Sequence, residues 1–518
     1  MQLVDSLQRL VSYRTVSSST QYAEPCRGGA SFLRKLFKRF GASTEMFNTE
    51  DRANPIVYAI FTGKPSENLK RKRILFYGHY DVIAADNEQG NWKTDPFDLQ
   101  GIDGYLYGRG VSDNKGPVLA ALFAVADLVS EQALTSDIVF LIEGEEERGS
   151  RGFAEAVRKN KHIIGEIDWI LLANSYWITD DVPCLTYGLR GVIHATVRVK
   201  SGNPDLHSGV DGSGLMDESL KDLVMLLANL TGPHGRIQIP DLYEPILPIT
   251  EAEDSRYAAI TRMLVQSNPD NENSDVLKAK LMARSREPSL TIHRFDISGP
   301  ENSTIIPSTA RASISIRLVP NQQVEEVREA LIDFLKVKFQ ELGSKNVLSV
   351  SINHQAEPWL GDPSNELFRT LEEAIIDVWC PRGEGEGEAA LETVAHTSKA
   401  KLSHTSSKPS NPIPATSLSL ENGTDHSPKT SAIPNAPVRA TAAEADPRPK
   451  YSKPLYIREG GSIPAIRFLE KEFNALAAHL PCGQASDSAH LDNERLRLLN
   501  LYKSREIFRK VFRELPKK

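Results

Sequence analysis

Arg73-Ile74-Leu75-Phe76-Tyr77-Gly78-His79-Tyr80-Asp81 is an apolar strand that runs straight into an imidazole and a carboxylate. Two other stretches repeat the pattern. Asp137-Ile138-Val139-Phe140-Leu141-Ile142 ends in Glu143-Gly144-Glu145-Glu146-Glu147, and Asp168-Trp169-Ile170-Leu171-Leu172 ends in Ala173-Asn174-Ser175. Open α/β sheets bind ligands beyond the carboxyl ends of their strands. The three ends are therefore expected to converge, and imidazole with carboxylate is the donor set of a hydrolytic metal site.

Around these strands the pattern alternates strand and helix from residue 1 to 188. Leu3, Leu7, Leu10 and Val11 recur at helical spacing and predict an amphipathic first helix. Asp113-Asn114-Lys115-Gly116-Pro117 precedes the apolar run Val118–Val129, a helix-start signal. This part reads as α/β, a doubly wound and mostly parallel sheet. After Gly191 the period changes. Val192–Val199 nears the alternation of a half-buried strand, and Asp217–Leu230 is helical. Strands follow at Ser289–Phe295 and Arg311–Leu318, then a helix at Val324–Leu342 and a strand at Val347–Ile352. The order β-α-β-β-α-β predicts a ferredoxin-like α+β lid over residues 189–356, inserted into the first domain. The chain returns to that domain over 357–518. Within it, 381–450 contains no aromatic residue and is rich in Ser, Thr, Pro, Ala and Glu. Such a stretch buries too little apolar area to offset its ordering entropy and is expected to be a disordered insertion.

Composition removes several classes. In 518 residues the formal net charge is −7, which argues against a nucleic-acid surface. No apolar run reaches the roughly 20 residues a membrane helix needs. Asp5 and Arg9 interrupt the N-terminal apolar stretch, so no secretion signal is read there. The four cysteines, Cys26, Cys184, Cys380 and Cys482, form no C-x-x-C pair. A reducing compartment, the cytoplasm, is the expectation.

Each candidate residue has a plainer reading. A His-x-Asp triplet such as His79-Tyr80-Asp81 arises about once by chance in a chain this long, but its place after a buried strand favours a ligand. Asp81 could accept the second imidazole N–H. Asp113 could be a helix cap, or a carboxylate shared by two metals. Glu145-Glu146-Glu147 could be a solvated charge run, but it abuts a buried strand, where adjacent carboxylates are costly without a cation. One glutamate can then bind metal while its neighbour acts as general base. His490 has no distinguishing signal of its own.

Taken together, the motifs G-H-Y-D-V, G-R-G-V-S-D-N-K-G-P, E-G-E-E-E-R-G-S, Y-G-L-R-G, D-L-H-S-G, S-I-R-L-V-P-N, R-E-G-G-S-I-P and D-S-A-H-L-D-N-E are specific. The chain resembles the co-catalytic metallopeptidases related to carboxypeptidase G, aminoacylase, carnosinase and cytosolic non-specific dipeptidase. The resemblance implies a zinc-exopeptidase fold and two divalent metal ions, zinc foremost with manganese as the alternative. It places His79, Asp113 and the residue at 174 on one metal, and Asp113, Glu147 and His490 on the other. It makes Glu146 the general base and Asp81 the orienter of His79. In the lid, it implies that His207 reaches a partner subunit's site in a homodimer and that Arg317 clamps the substrate carboxylate. The Gly460-Gly461-Ser462 turn would offer N–H groups to a small peptide substrate. Where the family has Asp or Glu, this chain has Asn174, so the first metal loses one negative charge of support. The wording around Asn174-Ser175-Tyr176-Trp177 most resembles the peptidase-like subunit of the fungal alternative glutathione-degradation complex. That subgroup works with a glutamine-amidotransferase-like partner. Its members usually carry an N-terminal β-propeller, so a shortened or stand-alone form is expected here.

Three functions share this core: a dipeptidase-like hydrolase, a non-autonomous subunit of such a complex, and an N-acyl amino-acid deacylase. A substrate panel separates them.

Overall fold

A computed structural model describes residues 2–49, 53–64, 71–85, 90–267, 273–379 and 453–517. The expected insertion, 381–450, and Cys380 lie outside the described residues. In chain order the main strands are β1 Ser43–Phe47, β2 Ile56–Phe61, β3 Arg73–His79, β4 Asp137–Glu143, β5 Trp169–Leu172, β6 Cys184–Leu189, β7 Gly191–Lys200, β8 Ser289–Ile297, β9 Thr309–Leu318, β10 Val347–Ala356, β11 Trp359–Leu360, β12 Leu455–Glu459 and β13 Leu476–His479.

The apolar run of β3 is buried on both faces because β3 lies inside the sheet, parallel to β4 on one side and β5 on the other. The strand order is β1-β2-β4-β3-β5-β13-β6-β11, with β12 on β6. Its centre is parallel; towards the flanks β2 runs against β4 and β13 against β6, while β12 runs parallel to β6. The helix Gly116–Ser130 is apolar nearly all round and lies in the same core as β3 and β4. The first helix is Leu3–Val11, with Leu3, Leu7, Leu10 and Val11 buried as their spacing requires.

The four strands β7 to β10 form a separate antiparallel sheet in the order β8-β9-β7-β10. Helices Ser219–Ala228 and Val324–Leu342 cover one face of it, with a hydrophobic core of their own. This is the ferredoxin-like order. Two helices went unread in the sequence, Glu251–Ser267 and Ser274–Arg286. They do not join the core of this second sheet. Ile260 packs instead on Trp177, Cys184 and Ile457, and Ser285 is the only buried residue of the second helix. Cys26, Cys184 and Cys482 are free and buried. No helix among the described residues is long and apolar enough to cross a membrane.

Candidate metal centre

The carboxyl ends of β3, β4 and β5 meet as their alignment requires. His79 ends β3 opposite Glu143 of β4. Its ring is fully buried. Nδ1 lies 3.1 Å from the Asp81 carbonyl oxygen and 3.5 Å from its carboxylate, so the carbonyl is the nearer partner. Nε2 thereby faces inward, 3.0 Å from Asp113 Oδ1. The Asp81 carboxylate instead accepts the backbone N–H groups of Glu146 (3.2 Å) and Glu147 (3.1 Å). Asp81 thus sets both the imidazole and the turn that carries the glutamates.

Asp113 is not a helix cap. It precedes the helix Gly116–Ser130 with φ −129° and ψ 86°, and that helix has no side-chain cap. Its two oxygens point at two imidazoles: Oδ1 at His79, and Oδ2 at His490 Nε2, 3.1 Å away. His490 Nε2 is also 3.1 Å from Glu147. Two groups of donor atoms each fall within 4.8 Å of one another: His79 with Glu146 and Glu147, and Asp113 with Glu147 and His490. The glutamate triplet divides. Glu145 turns away to Arg151 (2.8 Å) and the Asn54 side chain (2.8 Å), leaving Glu146 and Glu147 at the cluster.

Asn174 follows β5 and reaches the same place, its Nδ2 3.5 Å from His79 Nε2. Its Oδ1 accepts the Ser175 N–H. That oxygen keeps a second lone pair for a cation. His479 Nε2 holds the Asn174 carbonyl at 2.7 Å.

The electrostatics follow from the crowding. Hydrogen bonds to Asp113 and Glu147 push His490 up to about 11 against the effect of burial. His79 is also raised well above its ordinary value: burial opposes this, but Asp113 and Asp81 prevail. Burial would raise Asp113, yet hydrogen bonds from His490 and His79 hold it below the usual carboxylate range. Burial, with Glu147, Asp113 and Asp81, raises Glu146, and burial raises Glu147. Three carboxylates thus crowd two imidazoles, and protons on the rings supply the balancing charge. Divalent cations of the kind imidazole and carboxylate ligate would replace those protons, so the donor set fits two of them.

Several positioning residues were not singled out in the sequence. The buried Glu494 carboxylate accepts from Arg109 Nη1 (2.8 Å), Gly110 N (2.9 Å), Ser112 N (3.1 Å), Ser112 Oγ (2.9 Å) and Asp113 N (3.2 Å). It closes the D-S-A-H-L-D-N-E motif, four residues after His490; that spacing was the available signal. Asn114 accepts the His79 backbone N–H at 3.3 Å and donates to the Ala173 carbonyl. Lys115 is fully buried with Nζ on the Leu10 and Tyr13 carbonyls.

Beyond the cluster, Arg317 Nη1 donates to Ser462 Oγ at 2.9 Å, so the expected carboxylate clamp and the glycine turn do meet. The Gly461 carbonyl accepts the Arg190 N–H at 3.0 Å. A Cβ at Gly461 would meet nothing within 4 Å. His207 is exposed, on a two-residue strand paired with Ile305, and its hydrogen bonds with Asp211 and Gly209 are local. Neither ties it to the cluster.

Glu143, behind His79, is pushed up to about 8 by burial, with Asp81 adding to it and Tyr77 and Ser150 opposing. A carboxyl whose folded value exceeds its unfolded one binds more protons when folded, so its stabilising effect is lost as pH rises from about 4.5 through 8. Glu143→Gln keeps an oxygen for Tyr77 and Ser150. It is expected to remove that slope, gaining on the wild type by roughly 2–5 kcal/mol between pH 5 and 9. Urea unfolding at both pH values measures it, and parallel curves for the two proteins would refute it.

The chain is 38% identical, over 99% of its length, to a Saccharomyces cerevisiae protein named "Probable di- and tripeptidase DUG2", and it spans only 50% of that protein. It is 36% identical to a Homo sapiens "Beta-Ala-His dipeptidase", covering 63% of this chain and 64% of that one. Human carnosine dipeptidase 1 superposes with a TM-score of 0.72 at 27% identity, covering 100% of this chain and 97% of that one. The dipeptidase Dug1p of Saccharomyces cerevisiae does so at 0.74 and 25%, covering 100% and 96%. The family description "Peptidase family M20/M25/M40" matches residues 75–514. With this match and its mixed, centrally parallel sheet, the chain belongs to peptidase family M20/M25/M40.

Proposed function

We propose that this chain hydrolyses the amide bond of small peptides with two divalent cations, zinc or manganese, held by His79, Asp113, Glu147, Asn174 and His490. The observation that carries the reading is Asp113, whose two oxygens address two different imidazoles, at 3.0 and 3.1 Å. Bound cations supply Lewis-acid polarisation of the carbonyl and a lowered pKa for water. Glu146 takes the proton of the attacking water and returns it to the leaving amine. Positive charge in the cluster is what keeps Glu146 ionised for that task, since burial alone drives it towards the neutral form. Asp81 fixes His79 and the N–H groups of the glutamate turn. Arg317, steadied by Ser462, receives the peptide carboxylate as a guanidinium fork. The turn at Gly460, Gly461 and Ser462 adds N–H donors.

Residues 189–356 serve as lid and dimerisation domain, and His207 acts in the partner subunit's site, which accounts for its exposure here. The substrates are Cys-Gly-like dipeptides of glutathione and γ-glutamyl breakdown in the cytoplasm; 30% identity to the Saccharomyces cerevisiae "Cys-Gly metallodipeptidase DUG1" supports that class.

A second reading has its own observation. Asn174 offers a neutral amide at a family carboxylate position, and that weakens the His79-side metal. On this reading the chain is a subunit that acts with a glutamine-amidotransferase-like partner. Purified protein with zinc or manganese, assayed on a dipeptide panel beside metal analysis, decides. Release of amino acids from Cys-Gly by the chain alone supports the first reading. Turnover of γ-glutamyl substrate only after the partner is added overturns it.

Asn174→Asp is expected to tighten metal binding on the His79 side by about tenfold or more, the scale on which ligand-shell changes act. Equilibrium dialysis checks it, and unaltered stoichiometry and affinity would refute it.

A further inference from the structure

Three imidazoles on the lid sheet have no part in the chemistry above. On β7, Ile193, Ala195, Val197 and Val199 point into the lid core. His194 has the opposite parity and faces away from the helices. In register it lies opposite His354 of β10 and Ser315 of β9. Its ring centroid is 6.0 Å from that of His354 and 6.3 Å from that of His293. His293 falls at a register shift between Ile292 and Arg294 of β8, and His354 at one between Ile352 and His354 of β10. Bulges re-aim side chains, and here two of them bring outer-strand imidazoles beside the central one. His293 Nε2 is 2.8 Å from Ser315 Oγ. Arg317, two residues beyond Ser315 on β9, shares the face.

That face meets the candidate active site. Arg317 reaches Ser462. His354 packs against Gly149, where an added Cβ would come within 2.6 Å of its Nδ1. Gly149 follows the turn that bears Glu146 and Glu147. Charged groups acting on His194 and His354 are cationic. Burial, with His354, Arg317 and His293, holds His194 below its ordinary value, and burial with Arg317 does the same to His354. Among the described residues, histidine–carboxylate pairs involve only His79 and His490.

The one carboxylate of these four strands, Asp296, is taken by Arg294 (2.6 Å) and Arg311 (3.2 Å), so three imidazoles, a hydroxyl and a guanidinium are left to receive an anion. We propose that His194, His293 and His354 bind a second carboxylate on a ligand whose first carboxylate is held by Arg317, selecting peptides with an acidic side chain in the residue nearest the lid. The peptide class rests on the proposed function; the anion site does not.

Calorimetric titration with L-glutamate and L-glutamine tests the site without turnover. Glutamate is expected to bind about tenfold or more tighter than glutamine, the scale of one charge-assisted hydrogen bond. That ratio should fall to within about twofold in the double variant His194→Gln/His293→Gln. Equal affinities in the wild type, or an unchanged ratio in the variant, would overturn the proposal. So would loss of one bound zinc per chain in the variant, which would make the triad a metal site. Failure of the protein to cleave any dipeptide would sink the proposed function and leave this comparison intact.

Discussion

Glu146→Gln is expected to lower kcat on a dipeptide by about 10²–10⁴-fold, the usual contribution of a positioned general base. KM and bound metal should change little. The argument is local. Of three consecutive glutamates, Glu145 is committed to Arg151 and Asn54, and Glu147 lies 3.1 Å from His490. Glu146 shares the cluster with His79 and Glu147 but has no ring or guanidinium partner of its own within hydrogen-bond reach among the described residues. It is free to carry a proton. Neighbouring positions supply the controls. Glu147→Gln removes a proposed metal ligand and should lose metal together with activity. Glu145→Gln should keep kcat within a few-fold while lowering the melting temperature, because it leaves the Arg151 pair unmade. Steady-state kinetics beside metal analysis separates the three. Retention of wild-type turnover in Glu146→Gln would remove that residue from the chemistry.

How far the sequence reached can be seen at particular residues. The convergence of β3, β4 and β5 was legible because buried parallel strands are continuous apolar runs, and whatever follows such a run lies at the sheet's carboxyl edge. The four-stranded antiparallel sheet and its two helices were legible because the strands alternate and the helices carry one apolar face. The helix Ser274–Arg286 was not, since Ser285 is its only buried residue; in Glu251–Ser267 the residues Tyr257, Ile260 and Met263 are buried, and that spacing was a signal left unread. At the site, family motifs placed His79, Asp113, Glu147 and His490 where contacts now join them. Residue spacing alone could not separate Glu145 from Glu146. That distinction comes from a turn whose N–H groups point at Asp81. Nor could it tell that the Asp81 carbonyl, nearer than the carboxylate, faces the imidazole. Long-range partners such as Glu494 stay hidden because their role is defined by donors more than 380 positions away.

Glu494→Gln is expected to destabilise the fold by about 3–5 kcal/mol, the cost of breaking a buried ion pair from one side. It should also weaken metal binding by about 10–100-fold, as loss of a supporting partner does. The Arg109 and Glu494 side chains retain only 3% and 1% of their exposure, so neither can turn to solvent. An amide in place of the carboxylate puts an NH₂ group against N–H donors that now meet an oxygen, and it leaves the Arg109 charge uncompensated. The same carboxylate accepts the backbone N–H of Asp113 and both donors of Ser112. Losing it loosens the turn that aims the Asp113 oxygens at His79 and His490. Stability and metal affinity should therefore fall together. Ser112→Ala, which removes one of these bonds and no charge, should cost only about 1 kcal/mol and leave metal affinity within a few-fold. Urea unfolding with a metal titration distinguishes the outcomes. If Glu494→Gln unfolds more easily but binds metal as tightly as the wild type, then His79 and His490 alone orient Asp113. Glu494 would then be a structural tie between the C-terminal segment and the sheet.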